Sequence, residues 1–200
     1  MSALEERLGY QFQQPERLIQ ALTHASATNA RVESNERMEF LGDRVLGLVI
    51  AEMLLETFVG EEEGALGYRF TALARREALA RVAREIELGE HIKLSEGERD
   101  TGGAAKEGVL ANACEAVIAA LYLDGGLTAA AAFIHKYWRP MLEEDLHPRK
   151  DPKTVLQEWA QAEGKPLPDY RIITRDGPDH APSFTVEVQI KGETAVIGLG

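Results

Sequence analysis

The sequence predicts a mainly α-helical domain followed by a small α+β domain. Apolar residues recur at helical spacing through most of the first part of the chain, which is typical of helices that bury one face. The composition changes between Glu143 and Pro152, where charged residues and two prolines indicate a linker. Beyond the linker, one amphipathic helix is followed by three strand-like segments, in the order α-β-β-β. We therefore expect one domain over 1–145, a linker over 146–151 and a second domain over 152–200.

Composition restricts the classes of protein to which the chain can belong. With 44% hydrophobic residues the chain can bury a core, which excludes a disordered protein. The net charge of −11 argues against indiscriminate binding of nucleic acid. The first residues lack the order of a signal peptide, no apolar run approaches the length of a membrane span, and the single cysteine, Cys114, fits a reducing compartment. We expect a cytoplasmic protein that does not contact a membrane.

One predicted helix carries the most informative pattern of the chain. It is expected to start after Asn35, which would serve as its N-cap, and to end near Thr57. At about 100° per residue, Glu36, Glu39 and Asp43 share one face about 60° wide, with apolar residues opposite. Three carboxylates so close together repel one another. This face is therefore either well solvated or shared with cations.

Two further predicted helices help to decide whether this acidic face is solvated or shared with cations. A second long apolar helix, over 109–123, places Asn112 and Glu115 one turn apart on a face otherwise lined by small residues. Small residues let another helix approach closely, so two acidic faces can meet. A helix near 65–86 carries a group of arginines that form either a solvated face or a contact with phosphates, namely Arg69, Arg75, Arg76, Arg81 and Arg84.

Four segments resemble proteins of the ribonuclease III family. ERMEFLGDR is similar to the signature of the family, and ACEAVIAALYLDGG is similar to its second acidic helix. DPKTVLQEWAQ and GPDHAPSFTVEV resemble the first helix, and the first loop with the second strand, of a double-stranded-RNA-binding domain. The resemblance implies an all-helical catalytic domain followed by an RNA-binding domain. It also implies an endonuclease that cleaves double-stranded RNA and processes ribosomal, messenger and other structured RNA precursors.

The resemblance further implies a divalent-metal site. Mg²⁺ is the expected cofactor, with Mn²⁺ as a substitute, and no organic cofactor is expected. Phosphodiester hydrolysis must neutralise charge on the phosphate and generate hydroxide near neutral pH, and Mg²⁺ serves both needs. The expected ligands of the ion or of its waters are Glu39, Asp43, Asn112 and Glu115. Asp43 and Glu115 are the expected catalytic residues, with Glu36 beside them in RNA or metal contact.

The family acts as a homodimer in which each subunit cuts one strand of the duplex. By resemblance, Phe40 is the aromatic residue that enters a pocket on the partner subunit. On a helical projection Phe40 lies near the acidic face rather than with Met38 and Leu41, in keeping with that role. The alternative is that Phe40 is an ordinary core aromatic residue.

By resemblance, the second domain binds duplex RNA, which proteins read by shape and by 2′-hydroxyl groups across the minor groove. His180 stands at the tip of a Gly-Pro loop and is suited to enter that groove. The helical residues expected to contact RNA carry hydrogen-bonding groups at helical spacing, namely Thr154, Gln157, Glu158 and Gln161. Without the resemblance, each would be an ordinary polar residue of the surface.

Three features depart from the family pattern. Asn112 replaces an aspartate, and an amide oxygen can coordinate Mg²⁺ but carries no negative charge and cannot act as a base. We expect weaker metal affinity and slower cleavage, with duplex binding kept. Arg44 stands where the family pattern has serine, and we expect it to add a phosphate contact. The last helix of the RNA-binding domain is missing after Gly200, so we expect a C-terminal segment of low stability.

Two alternative functions differ from a nuclease. The first is a protein of the same fold that recognises duplex RNA without cleaving it, with Asn112 as its mark. The second is a carboxylate-bridged di-iron helical bundle, which needs Glu-x-x-His pairs on its helices. The pairs Glu36–Glu39 and Asn112–Glu115 offer no histidine, which argues against the second alternative.

Overall fold

The computed structural model describes residues 2–144, 152–176 and 183–199. The chain divides into two compact units, over 1–148 and 149–200. The first is built from helices joined by short loops, and the second combines one helix with three strands, which confirms the predicted fold class. The predicted linker and the loop that carries His180 lie outside the described residues.

The first unit begins with two short helices, α1 (Ser2–Leu8) and α2 (Pro15–Ala21), and continues into the long α3 (Glu36–Thr57). The bounds of α3 are those expected from the sequence. Its start differs in one respect, because the side chain of Asn35 makes no capping hydrogen bond within the described residues. The hydroxyl of Ser34 takes that role, since its Oγ lies 3.4 Å from the backbone nitrogen of Glu36 and accepts its hydrogen.

The single helix expected near 65–86 is two helices, α4 (Glu63–Ala74) and α5 (Arg76–Glu85). They are separated by Arg75, whose backbone is extended at φ −71° and ψ 159°. A break of one residue leaves the spacing of apolar residues almost unchanged on both sides, so periodicity alone does not detect it. The break allows α5 to pack along the last long helix of the unit.

A short parallel bridge, Thr23 to Lys93, fixes the segment that leads into α3. The backbone nitrogen of Lys93 donates to the carbonyl of Leu22 at 2.7 Å, and that of His24 donates to the carbonyl of Lys93 at 3.1 Å. Short helix α6 (Glu96–Asp100) follows, and Ser95 caps it by accepting a hydrogen bond from the backbone nitrogen of Glu98.

Helix α7 (Glu107–Glu144) bends at Gly126, whose φ of 70° and ψ of −172° are not helical. By length and composition alone α7 could cross a membrane, so the expectation that no apolar run reaches that length is wrong. Its apolar residues instead pack against α2, α3, α4 and α5 in the centre of the unit, where Val117, Ile118 and Leu121 are fully buried. This is the environment of a core helix.

The second unit contains α8 (Pro152–Ala162) and an antiparallel sheet. The strands are β1 (Asp169–Asp176), β2 (Ser183–Gln189) and β3 (Val196–Leu199), in the order β1-β2-β3. The left-handed backbone of Gly164, at φ 66°, lies just beyond α8, where the backbone nitrogen of Lys165 donates to the carbonyl of Ala160 at 2.8 Å. The order of elements is the one expected, and the low stability of this segment stays a prediction.

Candidate active site

The acidic faces of α3 and α7 meet because Gly42 lets the two helices touch. A Cβ atom at Gly42 would lie 1.8 Å from the carbonyl oxygen of Glu115, a distance that no side chain can occupy. A glycine inside a helix costs about 1 kcal/mol relative to alanine, so an interior glycine signals a packing requirement. The small residues of α7 predicted a close approach, and the residue that decides it lies on α3.

The two helices border an open cavity of about 420 Å³. Its lining contains every residue predicted to bind metal or to take part in catalysis, namely Glu36, Glu39, Asp43, Asn112 and Glu115. Phe40, Arg44 and Arg76 line the same cavity. The structure therefore brings together the groups that the sequence placed on separate helices, while their individual roles stay predictions.

Burial and mutual repulsion shift the titration of two carboxyl groups in this cavity. Burial, followed by the negative charge of Glu39, raises the pKa of Glu115 to about 7. Burial and the charge of Glu36 also raise the pKa of Glu39, although a hydrogen bond from the Asn112 amide and the positive charge of Arg76 act in the opposite direction. The cluster is therefore short of positive charge and favours either a proton or a cation.

Two guanidinium groups supply part of that positive charge. Arg44 forms an ion pair with Asp43, and its guanidinium carbon lies 5.0 Å from the centre of the Phe40 ring. The positive charge of Arg76, at the start of α5, partly opposes the rise in the pKa of Glu39 and of Glu115. Sequence reasoning did not assign Arg76 to this site, because only the packing of α5 against α7 places it there.

The other arginines of the basic segment are paired with carboxylates, so neither reading of that segment holds as a whole. Arg69 is buried at 6% exposure, donates to both carboxylate oxygens of Glu61 at 2.8 and 2.7 Å, and stacks 3.6 Å from the ring centre of Phe58. Exposed ion pairs join Arg75 to Glu77, Arg81 to Glu144 and Arg84 to Glu107. Arg69 therefore stabilises the fold and is not available to phosphates.

The donor groups of the cavity fit a hard divalent cation, because carboxylate and amide oxygens are the ligands that such ions prefer. In the described ranges, no three Asp, Glu, His or Cys side chains are already grouped as metal ligands. Asn112 contributes an amide in place of a carboxylate, and Asp43 is paired with Arg44. The residues present fit Mg²⁺ through the carboxylates of Glu39, Asp43 and Glu115 and the amide oxygen of Asn112.

Phe40 is 66% exposed, so the alternative that it is a core aromatic residue is wrong. Leu48 follows Phe40 by about two helical turns and Leu55 follows it by about four, and they are 58% and 64% exposed. Together the three residues form an apolar stripe on the solvent side of α3. We call this the α3 stripe.

In the second unit, Glu158 and Gln161 are exposed and Gln157 is half-buried on α8. Thr154 lies on the same helix, but its side chain is not among those described, and neither is His180. Predicted RNA contacts at these residues stay predictions.

Comparison with known proteins finds a family model that matches each of the two units. A family model described as ribonuclease-III-like matches residues 14–141, and one described as a double-stranded RNA binding motif matches residues 152–200. This chain belongs to the ribonuclease III family. The resemblance seen in the sequence is thereby confirmed.

Relatives within the ribonuclease III family match over most of their length. The chain is 50% identical over 195 residues to ribonuclease 3 of Cereibacter sphaeroides, which covers 97% of this chain and 85% of that protein. It is 48% identical over 200 residues to ribonuclease 3 of Caulobacter vibrioides, which covers 98% and 87%.

Solved structures of other proteins agree with the fold of the chain. The nuclease domain of ribonuclease III from Campylobacter jejuni superposes with a TM-score of 0.65 at 38% identity, covering 68% of this chain and 97% of that domain. That study concerns flexibility in a region involved in dimer formation of the Campylobacter protein. Dicer from Pichia stipitis shares the fold, with a TM-score of 0.52 at 21% identity over 94% of this chain and 86% of that one.

Proposed function

We propose that this protein is an endonuclease that cleaves double-stranded RNA by metal-dependent hydrolysis of phosphodiester bonds. The observation that carries the proposal is the cavity between α3 and α7, where Glu39, Asp43 and Glu115 meet beside Asn112. Membership of the ribonuclease III family, and the RNA-binding motif over residues 152–200, support a duplex RNA as substrate. We further propose that the protein acts in the cytoplasm on structured precursors of ribosomal and messenger RNA.

The chain would hold Mg²⁺, or Mn²⁺ as a substitute, through Glu39, Asp43, Glu115 and the amide oxygen of Asn112. The ion supplies positive charge to the phosphate and acidifies the attacking water when bound. The carboxyl group of Glu115, whose pKa is raised to about 7, would give up its proton on holding a cation. Glu36 is exposed at the start of α3, where it can contact RNA or metal-bound water.

Duplex cleavage requires two cavities, one for each strand, which we propose are supplied by a homodimer. The α3 stripe supports this proposal because Phe40 lines the cavity edge and Leu48 and Leu55 are exposed further along the same helix. Several large apolar side chains exposed on a single helix are typical of a surface covered by another protein. A second copy that covers the α3 stripe would bring its own cavity close to the first.

Replacement of Phe40 by alanine is expected to weaken the dimer at least about 100-fold. Burying one phenylalanine contributes about 2 kcal/mol, and a symmetric dimer loses two such contacts. Sedimentation equilibrium over a range of protein concentrations measures the change. The matched control is Leu167→Ala, which removes a side chain of similar exposure (57%) from the second unit. Equal dissociation constants for Phe40→Ala and the wild type would contradict the assignment of the α3 stripe to the dimer.

Asn112→Asp separates the nuclease from a binding protein of the same fold. The aspartate adds a charged ligand, so we expect cleavage of a long RNA duplex at limiting Mg²⁺ to rise about 10- to 100-fold in rate. The metal-free variant should also be less stable, because the hydrogen bond from Asn112 to Glu39 is replaced by repulsion. Single-turnover cleavage and thermal unfolding measure the two effects.

Each result of that experiment has a distinct meaning. Cleavage by both proteins supports the nuclease and makes Asn112 a tolerated ligand. Cleavage by Asn112→Asp alone supports the catalytic cluster and makes the present chain a duplex-binding protein. If neither protein cuts a duplex that it binds, the proposed activity is wrong.

A further inference from the structure

The phosphate contact expected of Arg44 does not explain its position beside the carboxylates of the cavity. Its guanidinium group pairs with Asp43, lies over the ring of Phe40 at 5.0 Å, and lines the cavity together with Glu39 and Glu115. The side chain is 62% exposed, so burial does not hold it there. What holds it are the negative charge of the cluster on one side and the aromatic face on the other.

We propose that Arg44 is an internal counter-cation that competes with the divalent ion for Asp43. The inference rests on the proposed function, since it concerns the same cluster of carboxylates. In the absence of metal, the guanidinium of Arg44 forms an ion pair with the carboxylate of Asp43. This ion pair keeps Asp43 from binding a cation together with Glu39, Asn112 and Glu115. Loading of the cluster with a divalent cation therefore requires Asp43 to exchange one cation for another.

This exchange accounts for a feature that the metal site alone does not explain. The carboxylates line one cavity, yet in the part of the chain that the structure describes no three of them are grouped as ligands. An ion that binds must displace Arg44 from Asp43 and then stay near its positive charge. The competition for Asp43 and the repulsion by the nearby guanidinium both lower the apparent affinity for the ion.

Phe40 gives the displaced guanidinium a place to remain. Because the ring already contacts Arg44, the side chain can release Asp43 while it keeps its contact with the aromatic face. Arg44 then acts through Asp43 as a positioning residue. It sets the Mg²⁺ concentration at which the cluster assembles.

The test is a Mg²⁺ titration of the full chain without RNA, followed by the rise in unfolding temperature and by calorimetry. Arg44→Ala is expected to bind Mg²⁺ about tenfold more tightly than the wild type. Arg44→Lys keeps the positive charge and should stay within about twofold of the wild-type midpoint. The matched control is Arg75→Ala, which removes the same charge from an exposed pair with Glu77 outside the cavity and should also leave the midpoint within about twofold.

The inference is wrong if Arg44→Ala has the same Mg²⁺ midpoint as Arg75→Ala, or if it binds Mg²⁺ more weakly. The proposed function survives either result provided that Asn112→Asp still cleaves RNA. If no variant responds to Mg²⁺, and Asn112→Asp neither binds the ion nor cuts, both the inference and the metal-dependent function are wrong.

Discussion

Gly42→Ala is expected to destabilise the first unit by at least about 3 kcal/mol, or roughly 10 °C in unfolding temperature. The added Cβ atom would lie 1.8 Å from the carbonyl oxygen of Glu115, 2.5 Å from its carbonyl carbon and 3.1 Å from its Cα atom. These three atoms belong to the backbone of α7, so no side chain can rotate to make room. The helices must separate, and the carboxylates on either side of the contact must separate with them. Thermal unfolding monitored by circular dichroism measures the loss.

The control for this experiment is Gly67→Ala on α4. A Cβ atom at Gly67 meets no atom within 4 Å, and alanine is the better helix former. We expect Gly67→Ala to be neutral or to stabilise the protein by up to about 1 kcal/mol. If Gly42→Ala unfolds within about 2 °C of the wild type, the contact between α3 and α7 is not as close as described.

Glu115→Gln is expected to lower the rate of duplex cleavage by about 10²- to 10³-fold while binding of the duplex is kept. The amide retains the size of the side chain but lacks the charge that, in the proposed function, would hold a cation and orient its water. For that reason the loss should appear in the single-turnover rate and not in the affinity for RNA. Glu143→Gln changes the same residue type at the exposed far end of the same helix and should cleave at the wild-type rate. Cleavage by Glu115→Gln at the wild-type rate would remove Glu115 from the catalytic cluster.

Although Glu115→Gln lowers the expected rate of cleavage, it is expected to stabilise the folded protein when no metal is bound. Because the pKa of Glu115 rises from 4.5 to about 7 on folding, the folded protein binds this proton more tightly than the unfolded chain does. The metal-free wild type therefore loses stability as the pH rises between these two values. Above pH 7, Glu115→Gln should be more stable than the wild type. The gain should be on the order of 1 kcal/mol, after allowance for partial exposure of the carboxyl group.

Unfolding temperatures measured in the presence of a chelator from pH 4 to pH 8 test whether Glu115→Gln is more stable than the wild type. The difference between Glu115→Gln and the wild type should grow with pH and then level off. Saturating Mg²⁺ should reduce or reverse the difference, because the wild type gains stability from the bound ion and the variant gains less. A difference that does not depend on pH would mean that the Glu115 carboxyl is not destabilised by its surroundings.

Local pattern predicted much of what the structure contains. The spacing of Glu36, Glu39 and Asp43 placed three carboxylates on one face of α3, because helical geometry depends only on neighbours along the chain. The same reasoning put Asn112 and Glu115 on one face of α7 and gave the bounds of α3. The exposed position of Phe40 beside the acidic face also followed from the helical projection.

Features that helical periodicity does not encode could not be predicted in this way. Arg69 reads as one member of a basic face, yet it is buried between Glu61 and Phe58, and no periodicity reveals which arginine finds such partners. Arg75 interrupts a segment whose pattern predicts one continuous helix.

The sequence by itself determined the family, the order of helices and strands, and the two acidic faces, since each depends on residues that are close along the chain. Only the tertiary structure decided that the faces meet at Gly42 and that Arg76 joins them from α5. Those features depend on the distances between helices and on the electrostatic field of neighbouring side chains. Packing sets both quantities, and local sequence does not.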